Sequence, residues 1–120
     1  MEKSFGKTNT AVFISGRGSN LSSLIKYSKT KKSLIRIALV ITDNSDAKGL
    51  EYAKKSKINN IFIKYSDRES FENRALKLLK KNNIDLICLA GFMKVLSKNF
   101  IKPYINKILN IHPSLLPKYK

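Results

Sequence analysis

Residues 10–21 read TAVFISGRGSNL, and the reading of this stretch decides the fold. Ala11 to Ile14 is an uninterrupted apolar run, which marks a strand buried on both faces rather than one with a wet side. Ser15-Gly16-Arg17-Gly18-Ser19-Asn20 then leaves that strand. Two glycines allow a tight turn and a close backbone approach to a ligand. Beyond it, Leu21, Leu24, Ile25 and Tyr27 recur at helical spacing over residues 19–31. A buried strand, a glycine loop and a helix in succession form the opening unit of a parallel α/β sheet.

Working outward, the same alternation repeats. Residues 36–42 (RIALVIT), 60–64 (NIFIK), 85–90 (DLICLA) and 107–111 (KILNI) read as four further strands. Residues 47–56 form a short helix, with Asp46 the expected N-cap. Residues 67–82 form the clearest helix, with an apolar stripe of Phe71, Ala75, Leu78 and Leu79 and a cap at Ser66 or Asp67. Glu69 and Glu72 are assigned to its first turns, where the dipole favours acids. A short helix is expected over 97–104 despite Pro103. The expectation is a three-layer α/β domain with a mostly parallel sheet. Residues 1–9 are read as a flexible leader and 10–120 as one domain.

Composition narrows the function classes. The chain has 120 residues, 42% of them apolar, which excludes a disordered chain. No apolar run approaches the roughly 18–20 residues of a membrane span, and no signal-peptide core stands behind the basic N-terminus. A cytoplasmic protein is expected. The single cysteine, Cys88, lies inside an apolar strand and reads as a buried small hydrophobe. No metal ligands stand at suitable spacing. The net charge is +16, carried by 20 Lys and only four Arg scattered along the chain. Without clustering or interleaved aromatics this is not a nucleic-acid platform, but it favours anionic small molecules.

In open parallel sheets ligands bind beyond the carboxyl ends of the strands. That rule selects residues 15–20, 42–44, 91–96 and 110–112. In the first group the amides of Gly18, Ser19 and Asn20 point out of a helix N-terminus, a natural phosphate site. The loop is neither a Walker A sequence nor a dinucleotide fingerprint; an ordinary strand-to-helix turn is the other reading. Phe92, Met93, Lys94, Val95 and Leu96 form an apolar segment suited to a flat heterocycle or, equally, to core contacts. Asn110 and His112, the only histidine, stand two apart on an extended segment and face the same way. An amide donor beside an imidazole suits oxyanion stabilisation and proton transfer, and a histidine satisfying backbone groups is the alternative. Pro113 and Pro117 end the strand and stiffen the loop after it.

Taken together, SGRGSNL at 15–21, LAGFMKVL at 89–96 and LNIHPSLLPK at 109–118 resemble, in order and spacing, the signature segments of the glycinamide ribonucleotide formyltransferases. The resemblance runs from about Thr10 to the last residue, and the Asn-x-His-Pro-Ser-Leu-Leu-Pro stretch also marks the wider formyltransferase superfamily. It implies a Rossmann-like N-terminal formyltransferase domain. The implied reaction passes a formyl group from 10-formyltetrahydrofolate, the co-substrate, to glycinamide ribonucleotide in purine synthesis, with no metal. Gly18, Ser19 and Asn20 match the loop that holds the nucleotide phosphate, Arg68 a folate-associated position, and Met93, Lys94, Val95 and Leu96 the pterin-lining segment. Asn110 and His112 match two of three catalytic residues. The third, an aspartate, is expected well beyond the Leu-Leu-Pro segment, so the chain is expected to be an N-terminal portion with little activity alone. Lys94 stands where members often carry Arg, and Lys lacks the planar fork for a bidentate contact. Other folate-dependent formyltransferases, a formyltetrahydrofolate hydrolase, or a catalytically inactive phosphate-binding fragment are the alternatives.

Overall fold

A computed structural model of the chain describes residues 7–16 and 19–111, apart from the side chain of Ser19. Five strands form one sheet: β1 (Thr8–Ile14), β2 (Ile35–Thr42), β3 (Asn59–Phe62), β4 (Leu86–Leu89) and β5 (Ile108–Asn110). Their order across the sheet is β3-β2-β1-β4-β5, and every pair is parallel. Helices α1 (Ser19–Ser28), α2 (Gly49–Lys55), α3 (Arg68–Lys81) and α4 (Lys98–Ile101) alternate with the strands, and a turn of 3-10 helix (Lys102–Tyr104) extends α4.

Side-chain alternation along the central strand builds two cores. Val12 and Ile14 pack with Leu21, Leu24 and Ile25 of α1 and Ala53 of α2. Ala11 and Phe13 face the other way, toward Phe71, Ala75 and Leu79 of α3 and Phe100 of α4. These are three layers, as the apolar runs require. Phe13 anchors the second core with edge-on contacts to Phe71 (6.4 Å), Phe92 (5.4 Å) and Phe100 (6.0 Å). Cys88 is 1% exposed in the first core, and burial pushes its thiol pKa up to about 11.

Local boundaries differ from the sequence reading in ways with physical causes. β1 starts at Thr8, so the strand takes two residues expected in the leader. Asn9 is buried there because its side chain donates to the Asn83 carbonyl (3.3 Å) and accepts from Arg36 (3.0 Å). α1 ends at Ser28, whose hydroxyl turns back to the Ile25 carbonyl (2.7 Å). Asp46 does not cap α2. That helix starts at Gly49 with no side-chain cap, and the Asn44 side chain shapes its approach by accepting the Asp46 amide (3.0 Å). Asp67 does cap α3, accepting the Ser70 amide at 2.8 Å. Glu72 is not a solvated dipole partner: it is 6% exposed and faces α4. The register of β1 on β2 slips between Thr10 and Ala11, so Ala38 is an extra residue and both Ala38 and Leu39 turn toward the α3 layer.

Candidate functional site

α1 and α2 cover one face and wind the chain from β1 out to β3; α3 carries it back past β1 to β4 on the other face. The winding therefore reverses between β1 and β4. At such a point the connections diverge and leave a crevice at the carboxyl ends. Ser15 and Gly16 enter it from β1, residues 90–97 from β4, and Asn110 ends the neighbouring β5, paired in register with Leu89.

Ser15 holds the crevice together. Its hydroxyl accepts the Met93 amide at 2.9 Å, and its carbonyl accepts the Asn44 side-chain amide at 3.0 Å. One residue thus ties the loops after β1, β2 and β4 to one another. Next to Asn44, the Asp43 Oδ1 is the one buried side-chain polar atom lacking a hydrogen-bond partner among the described residues.

The segment after β4 is fixed at both ends and exposed in its middle. Gly91 turns it with φ +77°, a conformation that side chains disfavour. Phe92 stacks on Phe71 at 5.7 Å. Met93 and Val95 are then 78% and 77% exposed, and the Lys94 ammonium lies 4.8 Å above the Tyr65 ring. Leu96 is half-buried. Ser97 ends the segment: its amide donates to Glu72 Oε2 at 2.7 Å, and its hydroxyl donates to Glu72 Oε1 while accepting the Phe100 amide at 3.2 Å. A hollow of about 430 Å³ lies beside it, lined by Arg68, Glu72, Asn73, Ser97, Asn99 and Phe100.

Of the residues singled out from sequence, Arg68 opens α3 and lines this hollow together with Ser97, the residue that follows the 93–96 segment. Asn110 is exposed at the carboxyl end of β5, which β4 separates from β1. Asn20 is half-buried in the first turn of α1, and Ser19 opens that helix. Gly18 and His112 lie outside the described residues. Sequence reasoning does not single out Ser15, Asn44 or Glu72 as site residues. Ser15 and Asn44 fall within the strand-end rule, but nothing in the sequence marks which polar residues cross-link the loops. A larger hollow, about 590 Å³, lies at the opposite, amino ends of β4 and β5, between Leu79, Asn83, Ile84, Tyr104 and Lys107. Among the described residues no group of three or more His, Cys, Asp or Glu side chains is placed to hold a metal ion. No described helix is long and apolar enough to cross a membrane.

A parallel sheet with its winding reversed at a Ser-Gly loop defines a class of α/β domains that bind ligands at the strand ends. Within that class, the chain belongs to the formyl transferase family, whose sequence profile matches residues 8–120. It is 40% identical over 114 residues to the phosphoribosylglycinamide formyltransferase of Escherichia coli, covering 92% of this chain and 54% of that protein. It is 42% identical over 117 residues to the trifunctional purine biosynthetic protein adenosine-3 of Gallus gallus, covering 95% of this chain and 12% of that protein. The fold is similar to the crystal structure of phosphoribosylglycinamide formyltransferase from Brucella melitensis. There the TM-score is 0.84 at 39% identity, with 92% of this chain and 59% of that chain covered. The chain thus spans about half the length of its single-function relatives and about an eighth of the trifunctional one.

Proposed function

We propose that this chain carries the amino-terminal part of a glycinamide ribonucleotide formyltransferase, with the nucleotide and folate segments of the site and two of its catalytic residues. One observation supports this reading most: the Ser15 hydroxyl, at the head of the SGRGSN loop, accepts the amide of Met93, in the middle of the GFMKVL segment. The two stretches that resemble the family's nucleotide and pterin segments meet at the winding reversal, where two substrates must meet to react. A folate-derived formyl donor follows from the family, and 10-formyltetrahydrofolate is the donor proposed here. Both substrates are anionic, which suits a chain of net charge +16, and a cytoplasmic setting accords with them.

In this reading the amides of Gly18, Ser19 and Asn20 hold the nucleotide phosphate at the start of α1. Arg68 and residues Met93, Lys94, Val95 and Leu96 hold the folate. The Lys94 ammonium is a point charge parked over Tyr65, free to turn toward an anionic group. The substrate amine attacks the formyl carbon, a tetrahedral oxyanion forms, and the carbon–N10 bond then breaks. The amine loses a proton and N10 gains one. Asn110 donates a hydrogen bond to the oxyanion, and His112 carries the proton between the two nitrogens. Phosphate binding relies on free amides together with a helix dipole, the latter worth roughly 0.3–1 kcal/mol per charge.

The test is formyl transfer by the chain alone and by the chain fused to the remaining carboxyl-terminal part of the Escherichia coli relative. The fusion should turn over, and His112→Ala in it should lower the rate by about 10²-fold or more, the range that a positioned proton-transfer group contributes. Glycinamide ribonucleotide should bind the chain more weakly when Gly18 becomes Leu. A fusion that binds neither substrate, or one indifferent to His112→Ala, would overturn the proposal.

A further inference from the structure

We infer that Glu72 is a positioning residue for folate binding, acting through Ser97 to hold the 93–96 segment in its binding shape. The inference rests on the proposed function above. Burying a carboxyl is costly unless its oxygens are hydrogen-bonded, and Glu72, 6% exposed, turns both oxygens on a single residue, Ser97. The arrangement is a capping box assembled from two helices. In the local version, the residue three positions into a helix reaches back to the N-cap amide. Here that residue is Phe100, which has no acceptor, and Glu72, 25 positions earlier on α3, accepts the Ser97 amide instead. The start of α4 is thereby fastened to α3 and not merely capped.

The consequence falls on the segment between the two fastenings. Met93 is held at Ser15 and Ser97 at Glu72, with only three residues between them. Three residues make a short link, since even fully extended chain spans only about 3.3–3.6 Å per residue, and the two anchors confine what lies between them. The exposed Met93 and Val95 side chains thus take their direction from the two anchors, not from contacts of their own. Arg68 stands one helical turn before Glu72 on α3 and lines the same hollow as Glu72 and Ser97. Glu72 therefore sets the distance between the two parts of the proposed folate surface, while having no place in the nucleotide loop.

The experiment titrates isotope-labelled chain with tetrahydrofolate and, separately, with glycinamide ribonucleotide, following amide NMR shifts. It compares the natural sequence, Glu72→Ala, Glu72→Gln and Ser97→Ala. Glu72→Ala should weaken tetrahydrofolate about tenfold, the change expected when the competent loop population falls to about a tenth. The nucleotide constant should stay within about twofold. Glu72→Gln should restore most of the loss, because its carbonyl still accepts the Ser97 amide and its NH₂ donates to the Ser97 hydroxyl. Ser97→Ala, which keeps α3 intact, should repeat the loss. Hydrogen exchange of the 94–97 amides should quicken in Glu72→Ala while that of the α3 interior does not. A natural chain that takes up neither ligand overturns the proposed function and this inference with it. A natural chain that binds both, beside a Glu72→Ala that binds tetrahydrofolate equally well with unchanged exchange at 94–97, overturns this inference alone. A Glu72→Ala that weakens both ligands equally does so too, since it would show a general structural role.

Discussion

Gly91→Ala, read against Gly16→Ala, isolates the backbone strain on which the crevice depends. Both glycines lie at strand ends in the crevice, and a Cβ built on either meets no atom within 4 Å. Among the described residues, then, neither Cβ meets a steric clash. They differ in conformation: Gly91 has φ +77°, and Gly16 has no positive φ of that kind. Replacing glycine by alanine removes freedom from the unfolded chain and stabilises by about 0.4–1 kcal/mol where the conformation is compatible. That gain is common to both variants and cancels in their difference. What remains is the left-handed penalty at position 91, about 1–2 kcal/mol. Gly16→Ala should be neutral or slightly stabilising, and Gly91→Ala should fall below it by that amount. With a urea m-value of about 2 kcal/mol/M, the two midpoints should differ by roughly 0.5–1 M. Equilibrium urea unfolding followed by circular dichroism makes the measurement. Coincident midpoints would refute the reasoning.

Two further outcomes are expected from the core. Phe13→Ala removes the ring that Phe71, Phe92 and Phe100 pack around and should cost about 3–5 kcal/mol by urea unfolding, while a loss under about 1.5 kcal/mol would show that the layer collapses to fill the gap. Cys88 has its pKa raised by burial from 9.0 to about 11, so its contribution to stability is complete below pH 9 and is lost as pH rises toward 11, by about 3 kcal/mol in all. Urea midpoints at pH 8 and pH 10.5 should therefore fall more steeply for the natural chain than for Cys88→Ala, and parallel falls would contradict the assignment.

Much of this protein was legible in its sequence because the information is local. Buried parallel strands must be continuously apolar, and runs such as AVFI and ALVI announce them without knowledge of their neighbours. The Asp67 cap and the Phe71–Ala75–Leu79 stripe likewise depend on residues within a few positions of one another. Parallel strands bring the strand-end rule with them, and with it the placement of the 93–96 segment and Asn110 near one end of the sheet, whereas Arg68 is singled out only through the resemblance. The motifs that resemble the formyltransferases begin at those same strand ends, and the family profile covers them.

What only the tertiary structure decided is non-local, and pattern spacing carries no information about it. The order β3-β2-β1-β4-β5, hence the crevice between β1 and β4, depends on which edge each crossover returns to. The extra residue at Ala38 leaves no mark on an apolar strand, since slipping one register there exchanges one apolar side chain for another. Asp46 has the chemistry of a cap, but the chain reaches α2 through a turn held by Asn44, and so the helix starts later. Glu72 shows the point most plainly. An acid near a helix start reads as a surface group answering the dipole, and only the packing of α4 against α3, which brings together residues 25 positions apart, turns it inward onto Ser97.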